Sequence, residues 1–165
     1  MHPLYLVTGQ PAVGKTTYAK KLAQAKGACM IDIDTMSEPI VKAGLNMAGW
    51  PVDDRDSQAF KQAFREPVYE AMWQTAGQNL TQVPVVMCGP FTRELEQPDW
   101  HQQVEQKMHC PVTIYWLHAS AKIIKMRMQK RGNKRDRDKL ARWEQYQTYF
   151  KAMPQCQHIA VNCDT

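Results

Sequence analysis

The stretch VTGQPAVGKTTYAKKLA, residues 7–23, decides the fold. A short apolar run from Leu4 to Val7 meets Gly9, Gly14, one lysine and two threonines, and a helical pattern begins at once. The run predicts a buried strand, and the residues from Gly14 to Lys26 predict a helix. A strand that turns through glycines into a helix leaves the first amides of that helix without intrahelical partners. Those amides and the positive end of the helix dipole favour an anion at the turn.

The turn is also a motif. Gly9-Gln10-Pro11-Ala12-Val13-Gly14-Lys15-Thr16 satisfies G-x-x-x-x-G-K-[ST], the P-loop that cradles the phosphates of a nucleoside triphosphate. Its glycines let the backbone come close to phosphate oxygens. Lys15 reaches the β- and γ-phosphates as a mobile point charge, and the Thr16 hydroxyl is the expected protein ligand of Mg²⁺. Together with Thr17, residues 9–17 are the expected seat of Mg·ATP. At 165 residues the chain is too short for the extra elements of an AAA+ module or an ABC domain.

Strand signals recur at residues 28–34, 83–89, 112–119 and 157–163. Helical spacing covers 57–80, where Pro67 is expected to start a new turn or kink the helix, and part of 92–108. It returns over 120–131 and 136–151, around Gly132. Residues 36–56, with Pro39, Gly44, Gly49 and Pro51, read as irregular. Strands thus alternate with helices about five times, which predicts an α/β fold: a three-layer sandwich around a parallel, about five-stranded sheet, in one domain spanning 1–165. Such sheets bind ligands beyond the carboxyl ends of their strands, here residues 8–10, 33–35, 88–92 and 118–120.

Composition agrees with a soluble globular chain, at 44% hydrophobic and 22% charged residues. No apolar run is long enough to cross a bilayer, and no signal peptide precedes the first strand, so a cytoplasmic location without membrane attachment is expected, as a monomer or small homo-oligomer. The five cysteines are scattered, with no C-x-x-C and no zinc spacing, and read as free thiols in a reducing compartment; Cys88 and Cys110 read as core residues. The net charge of +5 is uneven, for residues 122–151 hold eleven Lys or Arg against Asp136, Asp138 and Glu144. A solvated helix surface accounts for such a run, and so does a negatively charged partner, either nucleotide phosphate or nucleic acid. Nucleic acid is not favoured, because the aromatic-and-basic pattern of single-strand binders is missing.

The segment IDIDT, residues 31–35, places Asp32 and Asp34 two apart, on the same side of an extended chain at the end of the second strand. Carboxylates beside a phosphate cradle can accept or orient the proton of an attacking hydroxyl, or hold Mg²⁺ directly or through water. Turn formation or helix capping, with Asp34 before Thr35-Met36-Ser37-Glu38, is the structural alternative.

GQPAVGKTT followed by MIDIDT resembles the P-loop kinases of the zeta-toxin and polynucleotide-kinase type. The resemblance implies that the second acid, Asp34, is the base for an acceptor hydroxyl; Asp32, by its place beside the cradle, is the expected metal-site residue. The third strand ends in MCGPFTRE, with Cys88-Gly89 where many P-loop ATPases carry a magnesium-binding aspartate. Gly89 would let an acceptor approach the backbone, and Arg93 falls where related kinases often place a substrate-binding arginine, although a surface arginine at a helix start fits as well. In KMRMQKRGNKRDRDKL, Arg127 and Arg131 lie four apart on one helical face, and Gly132 ends the helix. Polynucleotide kinases have a similar arginine pair, which implies a lid over the donor phosphates in the region 120–151. Residues 36–82 match no particular family member and are the expected acceptor-binding insert. The expected activity is transfer of the γ-phosphoryl of Mg·ATP to a hydroxyl of a small-molecule acceptor. A polynucleotide 5′-hydroxyl kinase and a nucleotide-binding regulatory ATPase without a hydroxyl acceptor are the alternatives.

Overall fold

Leu4 and Leu6 pack into one hydrophobic cluster and Val7 into another, because successive strand residues face opposite ways and both faces of this sheet are covered. Val85 and Met87 against Val86 and Cys88, and Ile114 and Trp116 against Leu117, repeat the division. The computed structural model describes residues 1–55, 57–150 and 153–165. Its strands are β1 (Leu4–Gly9), β2 (Cys29–Asp32), β3 (Val85–Cys88), β4 (Val112–His118) and β5 (Ile159–Asn162), all parallel, in the order β2-β3-β1-β4-β5. The three-layer α/β sandwich expected from the alternation is therefore present. β1 and β3 are neighbours, and the connection leaving β1 runs to one side, to β2, while the one leaving β3 runs to the other, to β4. A crevice opens at such a switch point, and the glycine-rich turn sits there.

The helices are α1 (Lys15–Lys26), α2 (Ile33–Met47), α3 (Gln58–Phe60), α4 (Glu66–Asn79), α5 (Trp100–Met108), α6 (Ala121–Arg131), α7 (Arg137–Ala141) and α8 (Trp143–Tyr146). One wide π turn, Lys61–Arg65, joins α3 to α4, and Pro67 follows in the first turn of α4. The expected interruption near Pro67 is thus a π turn.

Two expectations fail. Residues 36–56 are not irregular throughout, since α2 runs to Met47 through Pro39. The Asp32 carboxylate caps this helix by accepting from the Thr35 amide at 3.2 Å, and Val41 and Leu45 bury its inner face. Pro39 lies on the exposed face, so the carbonyl it leaves unpaired is open to water. In consequence Asp32 and Asp34 do not share one side of an extended segment: β2 ends at Asp32, and Asp34 stands in the first turn of α2. The second failure is the single helix over 136–151. The chain there forms a 3₁₀ turn (Lys134–Asp136), α7, α8 and another 3₁₀ turn (Gln147–Tyr149), and residue 151 lies outside the described residues. No helix among the described residues is long and apolar enough to cross a membrane. The five cysteines are free, with Cys88, Cys110 and Cys156 buried.

Candidate active site

The glycine-rich turn is built against β4. Gly9 has φ 143°, and a Cβ there would lie 2.1 Å from the Leu117 carbonyl oxygen, so no other residue fits. The Gln10 amide donates to Leu117 O at 3.1 Å, and the Gln10 side-chain oxygen accepts from the Ala119 amide at 2.9 Å. Ala12 and Gly14 adopt left-handed backbone angles (φ 55° and 99°), which bends residues 11–14 around a hollow. α1 then starts at Lys15 with neither a capping side chain nor an acid in its first turn. Its leading amides remain available to an anion.

Lys15 Nζ donates to Gly9 O at 3.1 Å and Gln10 O at 2.8 Å, so the ammonium is folded back onto its own loop. Burial lowers its pKa from 10.5 to about 8, against the opposing influence of Cys88, Asp34 and Asp32. A cleft of about 340 Å³ is lined by Ala12, Gly14, Lys15, Thr16, Thr17 and Asp34, with Arg127 and Arg131 opposite. The two arginines of the predicted pair thus face the phosphate cradle together. Arg127 is also a strut: it donates to Val13 O at 3.0 Å and to Cys163 O at 2.7 Å. Arg131 forms a two-pronged pair with Asp136, 2.5 and 2.8 Å, and that carboxylate is 1% exposed.

A second cavity, of about 370 Å³, opens on the other side of Asp34, between α2, the π turn, α4 and the loop after β3. Lys15, Thr16 and Asp34 line this cavity as well as the first cleft. Its apolar wall includes Val41, Phe60, Phe64 and Val68, and its polar groups include Glu38, Arg55, Arg65 and Arg135. Arg65 grips both oxygens of Glu94 at 2.9 Å and lies over the Tyr69 ring. The Tyr69 hydroxyl accepts from the Phe91 amide at 3.0 Å, and Thr8 donates to Pro90 O at 2.8 Å, so the Gly89-Pro90-Phe91 loop is fixed from both sides. Gly89 lines this cavity. Arg93 does not; it borders a neighbouring hollow with Gln58, Lys61, Gln62 and Glu66.

Thr16 Oγ1 lies 3.5 Å from Asp32 Oδ1, and Asp32 pairs in register with Cys88 of β3. The thiol, pushed up to about 12 chiefly by burial, is no ligand for a hard cation. A hydroxyl and a carboxylate side by side at a phosphate cradle do suit Mg²⁺, which keeps several waters and takes few protein ligands. No cluster of three His, Cys, Asp or Glu that could cage a metal exists among the described residues.

Sequence reading missed Glu38, Arg55, Arg65 and the role of Asp136. The first three fall in segments without a motif, and their partners are remote in the chain. Nothing in the sequence separates Asp136 from Asp138 in the same basic run; its burial does.

A profile of the AAA domain family matches residues 4–153, and the chain belongs to that family. No curated protein is similar enough in sequence to count as a relative. Among solved structures, a protein from Chloroflexus aurantiacus superimposes with TM-score 0.67 at 17% identity, over 99% of this chain and 89% of that one. A gluconokinase from Sinorhizobium meliloti gives TM-score 0.59 at 18% identity over 99% and 83% of the two chains. A shikimate kinase from Bacteroides thetaiotaomicron gives 0.55 at 19% over 99% and 86%. The fold is that of the small P-loop kinases.

Proposed function

We propose that the protein is a kinase that transfers the γ-phosphoryl of Mg·ATP to a hydroxyl of a small molecule. One observation carries this reading: Lys15, Thr16 and Asp34 line both the phosphate cleft and the adjoining cavity, so two ligands can meet at Asp34. Residues 9–17 hold the triphosphate, and Thr16 and Asp32 would hold the magnesium, which would supply neutralisation of the triphosphate's charge. The acceptor oxygen attacks the γ-phosphorus, the bond to the β–γ bridging oxygen breaks, and ADP leaves. Asp34 orients the acceptor hydroxyl and takes its proton. Lys15 and the pair Arg127 and Arg131 stabilise the charge on the transferring group. Arg131 exchanges part of its contact with Asp136 for the phosphates. An acceptor that outgrows the cavity would pass Lys61, which borders both hollows, and reach Arg93.

The acid two residues after the β2 carboxylate, with the arginine pair before Gly132, supports placing the chain with the zeta-toxin and polynucleotide-kinase-like group. A cavity of about 370 Å³ suits a small acceptor better than a nucleic acid end. Five free thiols suit a reducing compartment, and we assign the protein to the cytoplasm.

The test is a comparison of carboxylates. Asp34→Asn should bind Mg·ATP almost normally and lose roughly 10²–10⁴-fold in transfer, the usual worth of a positioned base. Asp32→Asn should instead raise the magnesium requirement. Normal transfer by Asp34→Ala, with loss in Asp32→Ala, would show that the other carboxylate serves the acceptor.

A further inference from the structure

Glu38 lies in the acceptor cavity one helical turn beyond Asp34, and a single oxygen of its carboxylate collects three cations. Oε1 accepts from Arg55 Nη2 at 2.9 Å and Arg135 Nη2 at 2.7 Å, and Lys42 Nζ stands at 3.5 Å. The side chains of Arg55 and Glu38 are only 14% and 20% exposed, so water screens that pair poorly, while Arg135 at 34% and Lys42 at 53% are more open. The two guanidiniums that share the oxygen both line the cavity and outnumber the one carboxylate between them. Two guanidiniums held on one atom repel each other, and an added anion would relieve that repulsion. Arg55 is also fixed in place: its Nε donates to Val52 O at 3.2 Å, and its guanidinium lies over the Phe60 ring. A planar fork held rigid in this way suits a carboxylate or phosphate.

We propose that Arg55 and Arg135 form an anion subsite for the acceptor, with Glu38 as the group the acceptor's charge joins or displaces. This rests on the kinase reading, since Asp34 supplies the other anchor. Residues four apart on a helix face lie about 6 Å from each other. The acceptor is then a small hydroxy anion whose phosphorylated hydroxyl and charged group are separated by roughly that span. Arg135 follows the arginine pair of α6 in sequence, so the acceptor's charge also holds the segment that faces the donor phosphates.

The experiment loads the protein with Mg²⁺ and a non-hydrolysable ATP analogue, so that the phosphate cradle is filled. D-glucuronate, D-glucose 6-phosphate and D-glucose are then titrated by calorimetry. The charged compounds should bind at least tenfold more tightly than glucose, and comparison of the two identifies carboxylate or phosphate as the better fit. The margin should shrink to less than threefold in Arg55→Gln and Arg135→Gln, persist in part in Arg55→Lys, and widen in Glu38→Gln. No margin in the parent protein, or a full margin in both arginine-to-glutamine variants, overturns the subsite. Transfer of γ-label from ATP to the same compounds separates this from the parent reading. Equal labelling of glucose and the anions keeps the kinase and removes the subsite. An arginine-dependent margin without any labelling keeps the subsite and removes the kinase.

Discussion

Lys15 is the residue whose charge state the fold holds most delicately. In the unfolded chain its ammonium titrates near the ordinary lysine value, and in the folded protein at about 8. The unfolded state therefore binds more protons between about pH 8 and 10.5, and stability gains from this group as pH rises through that window. Nucleotide binding has the opposite sign. Phosphate favours the charged lysine, so the complex binds a proton that the free protein has lost above about pH 8. Affinity for Mg·ATP should be flat below that pH and then fall by up to about tenfold per unit. Calorimetry at about pH 9 in two buffers of different ionisation heat should report uptake of nearly one proton per nucleotide. No uptake would mean that Lys15 does not touch the phosphates. The cradle itself was legible at the level of single residues, because G-x-x-x-x-G-K-T dictates both backbone and chemistry. Lys15's retreat onto Gly9 and Gln10 was not, since it depends on the loop's own carbonyls.

Among the elements, α6 and the turns after it carry the next claim. Arg127 and Arg131 share a face of α6 as their spacing requires, but the two do different work. Arg127 ties the loop at Val13 to the segment after β5, whereas Arg131 is held ready by the buried Asp136. Arg131→Ala should lower turnover by about 10²-fold, the worth of one preorganised donor, while nucleotide affinity changes little. Steady-state kinetics beside calorimetric affinity distinguish these effects, and unchanged turnover would place Arg131 on a merely structural pair. The same stretch shows what local pattern conceals. Helical spacing over 136–151 was real, yet Asp136 and the Trp143 side chain turn inward and break it into short pieces. α2 was hidden for the reverse reason. Pro39 and Gly44 read as breakers, while the cap at Asp32 and the buried Val41 and Leu45 outweigh them.

At the scale of the whole molecule, the sheet order brings the carboxyl ends of β1, β2 and β3 together, and with them the loop, Asp32 and Gly89. Strand and helix alternation made that architecture readable, because buried parallel strands need apolar runs and their crossovers need helices. The second cavity was beyond such reading: Arg135 meets Glu38 across 97 residues, and Arg65 meets Glu94 across 29. The proposed function depends on that union of two hollows at Asp34. The most direct test supplies ATP labelled in its γ-phosphate, with Mg²⁺, to a panel of hydroxyl acceptors that includes sugar acids and sugar phosphates. The predicted result is label in an acceptor, ADP formation faster by orders of magnitude than without it, and loss of both in Asp34→Asn. Label found only in inorganic phosphate, at a rate indifferent to every acceptor, would contradict the account and leave a nucleotide-binding ATPase in its place.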